Sequence, residues 1–90
     1  MIHVFDYGVE IRLDTEIDLK DFDSAKILYE KPSGATGEWA ANIDGTEVVY
    51  IVKPNDIDEV GLWTLQAQIQ AFDSVITGRK TVLPVMERVR

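Results

Sequence analysis

Val60-Gly61-Leu62-Trp63-Thr64-Leu65-Gln66-Ala67-Gln68-Ile69-Gln70 is the stretch that decides the fold. Trp63, Leu65, Ala67 and Ile69 fall at every second position, and Thr64, Gln66, Gln68 and Gln70 fill the positions between. In a strand, successive side chains point to opposite faces, so this spacing gives one apolar and one polar face. A strand with one buried and one wet face belongs to an antiparallel sheet. Gly61 stands at its entry and allows a backbone bend there.

The same period recurs on either side. Ile2 to Phe5 is a short apolar piece closed by Asp6-Tyr7-Gly8. Val9, Ile11 and Leu13 alternate with Glu10, Arg12 and Asp14. Ala25 to Lys31 reads as a strand with Ala25, Ile27 and Tyr29 on one face, followed by a Lys31-Pro32-Ser33-Gly34 turn. Gly37 to Ile43 points Trp39, Ala41 and Ile43 one way. Asp44-Gly45 then stands between two alternating runs, the favoured signal for a two-residue hairpin turn. That turn would set Ile43 opposite Thr46, Ala41 opposite Val48 and Trp39 opposite Tyr50. The run from Thr46 to Lys53 is apolar on both faces at its centre, so Val49 and Ile51 are covered by the fold or by a partner. Phe72 to Gly78 reads as a loop or bent hairpin, and Lys80 to Val89 as the last strand. Pro84 cannot donate to a ladder, so that strand belongs at an edge or carries a bulge. No helical stripe longer than a turn occurs. About seven short strands, with turn signals at regular spacing, lead us to expect an all-β sandwich.

Composition bounds the function. Ninety residues suit one domain, 1–90, and an apolar fraction of 46% argues for a packed core over disorder. No cysteine is present, so disulfides and thiolate metal sites are excluded. A net charge of −7 does not suit nucleic acid, which calls for clustered Lys and Arg. Apart from Arg79-Lys80 and the Arg88/Arg90 tail, the basic residues are scattered. The apolar runs are too short to span a membrane, and the N-terminus lacks the pattern of a secretion signal.

Asp14, Glu16, Asp18, Asp21 and Asp23 crowd one connection, which Ile17, Leu19 and Phe22 are placed to pin to the core. The run lacks the glycine and closing glutamate of a calcium-binding loop, so it reads as a solvated acidic segment with no metal. Paired carboxylates could serve glycoside hydrolysis, but their separation is not legible in sequence. With one histidine (His3), no cysteine and no phosphate loop, no catalytic set or cofactor site is expected. Trp39, Tyr50 and Trp63 read as core rather than as a sugar platform. Phe72, Val75 and Ile76 stand where polar residues are the rule. They form either a loop tucked over the end of the fold or a contact surface. With Val49 and Ile51 they make up the candidate interface.

Two resemblances add to this reading. Glu59-Val60-Gly61-Leu62-Trp63-Thr64-Leu65 resembles the corner before strand F of immunoglobulin-like domains, with Trp63 in the usual tyrosine place and Leu65 in the usual cysteine place. Tryptophan has no phenolic hydroxyl for the bond of that corner. Lys31-Pro32-Ser33-Gly34, Glu38-Trp39, Asp44-Gly45-Thr46 and Gly61 to Ala67 occur in the same order in small tailed-phage proteins. They also resemble the N-terminal domain of phage baseplate upper proteins. Ser33 stands where that family usually has an acid, a change expected to matter little in a turn. The resemblance implies an immunoglobulin-like antiparallel β-sandwich without catalytic residues. It implies a structural or assembly module of a phage or prophage tail or baseplate, found in the virion or in the host cytoplasm during assembly. Its partners would be other virion or tail proteins, or further copies of itself as a homo-oligomer. The alternative is a carbohydrate-binding module that contacts host surface glycans.

Overall fold

The structure is a computed structural model that describes residues 2–89. Met1 and Arg90 lie outside the described residues. The chain is all-β. The strands are β1 (Ile2–His3), β2 (Glu10–Asp14), β3 (Ser24–Glu30), β4 (Thr36–Asp44), β5 (Glu47–Ile51), β6 (Gly61–Ala71) and β7 (Ser74–Met86). These seven strands form one mixed sheet in the order β1-β7-β6-β3-β4-β5-β2. Every neighbouring pair is antiparallel except β1 with β7.

β4 makes the sheet curl. Thr36 to Ala41 pairs with β3, whereas Asn42 to Asp44 pairs with β5. A strand that changes neighbours along its length forms a corner. The triplets β2-β5-β4 and β3-β6-β7 match the B-E-D and C-F-G orders of immunoglobulin domains. Because β4 also pairs with β3, the two triplets join into one half-barrel rather than two separate sheets.

The concave face holds the core. β6 supplies Trp63, Leu65, Ala67 and Ile69, all buried, while its glutamines face outward. β3 adds Ala25 and Ile27, β4 adds Trp39, and β5 adds Val48 and Tyr50. Two loop residues close the ends. Leu19 lies in the acidic connection after β2, and its amide donates to the Gly45 carbonyl. Ile57 lies in the connection after β5, at the opposite end, and its carbonyl accepts from the Phe5 amide. Of the acidic connection's other apolar residues, Phe22 packs against the core and Ile17 stays exposed.

The β4–β5 turn differs from the expected one. Asp44 pairs with Glu47, Ile43 with Val48 and Asn42 with Val49. The two turn residues are therefore Gly45 and Thr46, not Asp44 and Gly45. Gly45 takes φ +66 and Thr46 stays at negative φ. A glycine with positive φ at the first central position is the requirement of a type II′ turn. Asp44 stays in the ladder, where it and Glu47 both bind Arg12 of β2. The turn carbonyls are taken up by the acidic connection, Gly45 by Leu19 and Thr46 by the Thr15 amide and hydroxyl. The slip amounts to two positions, so it leaves every side chain on its expected face. The expected contact of Trp39 with Tyr50 is present: their rings stack, with centroids 4.8 Å apart and 5° between planes.

The last strand is longer than expected. β6 runs to Ala71 and β7 begins at Ser74, so Phe72 and Asp73 make a tight tip. A bulge sits where Ala67 faces Gly78 and Arg79 together. Pro84 falls where β7 has β6 on one side only, because β1 pairs with Val85 and Met86 alone. This long hairpin stretches the molecule to 44 × 24 × 19 Å.

Trp63 ties the corner before β6. Its indole N–H donates to the Glu59 carbonyl, four residues upstream, at 3.0 Å. The tryptophan thus makes a side-chain-to-backbone bond of the kind that tyrosine makes in immunoglobulin corners. Gly61 takes φ +129, and a Cβ there would lie 2.8 Å from Pro32 Cγ, so only glycine fits. Trp63→Ala would open a large cavity and free the corner. It is expected to cost about 3–5 kcal/mol, measured by urea denaturation against wild type.

Candidate interaction surfaces

The aromatic side chains form a buried cluster. Trp39 stacks on Tyr50, and Tyr29 lies 4.7 Å from Trp39 and 5.6 Å from Trp63 between ring centroids. Tyr29 also lies across Gly37 on the neighbouring strand. Trp39, Tyr50 and Trp63 are interior, so none of them offers a flat ring to a sugar.

A polar clamp covers the Trp63 end of the cluster. Lys31 Nζ sits 5.6 Å from the centroid of the Trp63 ring and 2.9 Å from the Asp58 carboxylate. The hydrogen bond to Asp58 raises the Lys31 pKa above its ordinary value. The Ser33 amide and hydroxyl both donate to the Glu59 carboxylate, at 3.1 and 2.9 Å. A carboxylate at position 33 would repel Glu59 and lack the hydroxyl donor.

A second polar cluster lies on the convex face. Arg12 bonds Glu10 at 2.5 Å, Glu47 at 2.8 Å and Asp44 at 2.9 Å. These bonds, led by that to Glu10, raise the guanidinium pKa further above its already high value. Arg12 and Asn42 flank Val49 in the ladder, and Val49 is only 7% exposed. Of the two convex-face residues in the candidate interface, Val49 is thus covered by the fold and Ile51 is open, at 48% exposed.

The remaining candidates share one place. Phe72 is 98% exposed at the tip of the β6–β7 hairpin, and Val75 and Ile76 are exposed on the strand that leaves it. Val75 faces Gln70, whereas Ile76 faces Ile69 on the concave side. The tip does not fold back over the core. Ile51 lies on β5, in the other half of the sheet, so the structure groups Phe72, Val75 and Ile76 and leaves Ile51 apart.

Other exposed apolar residues have no distinct signal in sequence. Leu62, Val82 and Pro84 lie on the outer face of β6 and β7, with Leu62 directly opposite Pro84. Phe5 and Tyr7 project from the turn after β1, and Phe5 takes φ +66, uncommon for a bulky side chain. No group of three or more His, Cys, Asp or Glu able to hold a metal ion occurs among the described residues. No family model, curated protein or solved structure matches the chain.

Tyr50 carries a pH dependence. Burial, and next its hydrogen bond to Asp56, raise the phenol pKa above its ordinary value of 10.0. The Asp56 carboxylate also accepts from the Lys53 amide and so holds the turn after β5. A raised folded pKa means that the protonated phenol stabilises the fold fully below about pH 10, and that this contribution is lost as pH rises through the folded value. Stability measured by urea denaturation is expected to fall above about pH 10, and Tyr50→Phe should flatten that fall.

Proposed function

We propose that this chain is a non-enzymatic structural or assembly module of a tailed phage or prophage, associated with the tail or baseplate. It acts through protein–protein contacts at the tip of the β6–β7 hairpin. The observation that carries the contact reading is Phe72, exposed to 98% at the tip of the β6–β7 hairpin. Val75 and Ile76, one on each face of the strand that leaves the tip, are exposed as well. An exposed apolar tip at the end of the sheet suits contact with neighbouring subunits, since exposed apolar patches mark interfaces. The phage setting rests on the order of the Lys31–Gly34, Glu38-Trp39, Asp44–Thr46 and Gly61–Ala67 motifs. The partners are other tail proteins or further copies of the chain.

A stable contact of this kind buries at least about 1,000 Å² in total. Sedimentation and light scattering should show self-association of the wild type, or pull-down from a phage lysate should recover tail subunits. The pair Phe72→Ser with Ile76→Ser is expected to weaken that association while the fold and its urea transition persist, because the tip lies outside the core. A wild type that stays monomeric and captures no virion protein contradicts the proposal. If the double variant unfolds, the single change Phe72→Ser carries the same test, since Phe72 touches little of its own fold.

A further inference from the structure

The curled sheet does not close. β7 is covered on its outer side by β1 at Val85 and Met86 alone. β2 has β5 on one side and, among the described residues, no strand on the other. The Val9 carbonyl accepts from the Val52 amide, and the Thr15 amide donates to the Thr46 carbonyl. Between those two bonds the register with β5 is unbroken, from Glu10 facing Ile51 to Asp14 facing Glu47. In an antiparallel ladder every second residue bonds a given neighbour. Val9, Ile11, Leu13 and Thr15 therefore bond β5, and the amides and carbonyls of Glu10, Arg12 and Asp14 point away from it. Neither a proline nor a bulge blunts this edge.

The order Val9-Glu10-Ile11-Arg12-Leu13 makes this edge complementary to itself. Two antiparallel edges bond only where outward-pointing residues of one stand opposite outward-pointing residues of the other. A twofold axis at Ile11 meets that condition. Glu10 then stands opposite Arg12 of the second copy, and Arg12 opposite its Glu10, and each pair exchanges two backbone hydrogen bonds. On the other face Ile11 meets its own copy and Val9 meets Leu13. The twofold of an antiparallel pair is perpendicular to the sheet, so both concave faces lie on the same side and their apolar rows join. Val9, 38% exposed in one chain, gains cover. An axis moved by one residue keeps the hydrogen bonds but sets like charges together. About position 10, Glu10 meets Glu10; about position 12, Arg12 meets Arg12 and Glu10 meets Asp14. An axis at position 13 sets Arg12 opposite Asp14 but keeps only Arg12 to Asp14 of β2 in the ladder. Charged side chains often guard an edge; here they select one register. Arg12 already bonds Glu10, Asp44 and Glu47 of its own chain, three carboxylates on one guanidinium. Glu10 and Arg12 both remain partly exposed, and a second arginine beside Glu10 offsets the excess of negative charge.

We propose that the outer edge of β2 pairs with the same edge of a second copy, as an antiparallel ladder centred on Ile11, so that two half-barrels share one continuous sheet. The seam between β2 and β7, about 570 Å³ and lined by Ile11, Leu13, Leu65 and Leu83, then faces the same seam of the second copy. The five paired residues span about 16 Å at strand rise. A contact of this length belongs to the small interfaces, below about 1,200 Å² in total, so the dimer is a weak one. The β2 edge is separate from the hairpin tip, and the pairing stands whether or not the tip binds anything.

Sedimentation of the full chain at concentrations up to millimolar should show a dimer. Isotope-filtered NMR on a mixture of labelled and unlabelled chains should show a contact between the α-protons of Val9 and Leu13. Within one strand these residues stand about 13 Å apart, so only a second copy brings them together. Glu10→Arg sets two arginines opposite each other across the axis and leaves the bonds of Val9 and Ile11 to β5 in place. It should weaken dimerisation at least tenfold, while Phe72→Ser should leave it unchanged. The Val9–Leu13 contact is read on the wild type, so it carries the test even if Glu10→Arg fails to fold. A wild type that stays monomeric at millimolar concentration overturns the proposal. So does a dimer without the Val9–Leu13 contact, the outcome if β2 pairs instead with β7 of the second copy. A dimer that Phe72→Ser abolishes and Glu10→Arg leaves intact overturns it as well, and assigns the association to the tip.

Discussion

The burial of Trp63 is the constraint on which the rest of the structure depends. Its ring has no exposed surface and lies within 6.1 Å of Trp39 and 5.6 Å of Tyr29 between centroids. A buried indole needs a partner for its N–H, and the Glu59 carbonyl supplies it. That bond draws the chain before β6 into a corner, which places Gly61 against Pro32 and the Glu59 carboxylate against Ser33. One side chain therefore fixes the start of the central strand, the turn between β3 and β4, and the aromatic cluster beneath them. A mutation at this position acts on packing and on chain direction together.

The sequence shows the fold most clearly where alternation is unbroken. β6 keeps strict alternation from Trp63 to Gln70, and the structure buries the residues that this pattern selects. β7 breaks the pattern. Ile76 faces inward before the bulge at Gly78 and Arg79, and Thr81, Leu83 and Val85 face inward after it, so the parity changes within one strand. Read as a single alternation, such a strand looks like a loop followed by a shorter strand. The β4–β5 turn departs from its local signal for a different reason. Local turn chemistry favours Asp-Gly, but Asp44 is held in the ladder by Arg12, 32 residues away in sequence. The carbonyls of Gly45 and Thr46 are bound by a connection that no local pattern places there. Ile57 carries no core signal in sequence because it stands alone among acidic residues. The unbroken strand it would need to show a period is absent.

The surface was legible in part. Phe72, Val75 and Ile76 stand out in sequence as apolar residues at turn positions, and all three prove exposed. Val49 and Ile51 read alike, yet Val49 has ladder neighbours on both sides, Arg12 and Asn42, whereas Ile51 has Glu10 alone. Side-chain cover of this kind depends on which strands become neighbours. The open seam between β2 and β7 depends on curvature, which arises where β4 changes partners. Neither feature has a signature in the period of any single strand.

Hydrogen exchange at the Trp63 indole tests the central role of that side chain most directly. In native-state exchange followed by NMR, its Nε1 proton is expected to exchange with the slowest class, alongside the amides of β3 and β6, because its release requires the core to open. Urea should speed that proton in step with global unfolding. Exchange as fast as that of the exposed hairpin tip, or insensitive to urea, would contradict the account, for it would mean that the corner opens while the sheet stays intact.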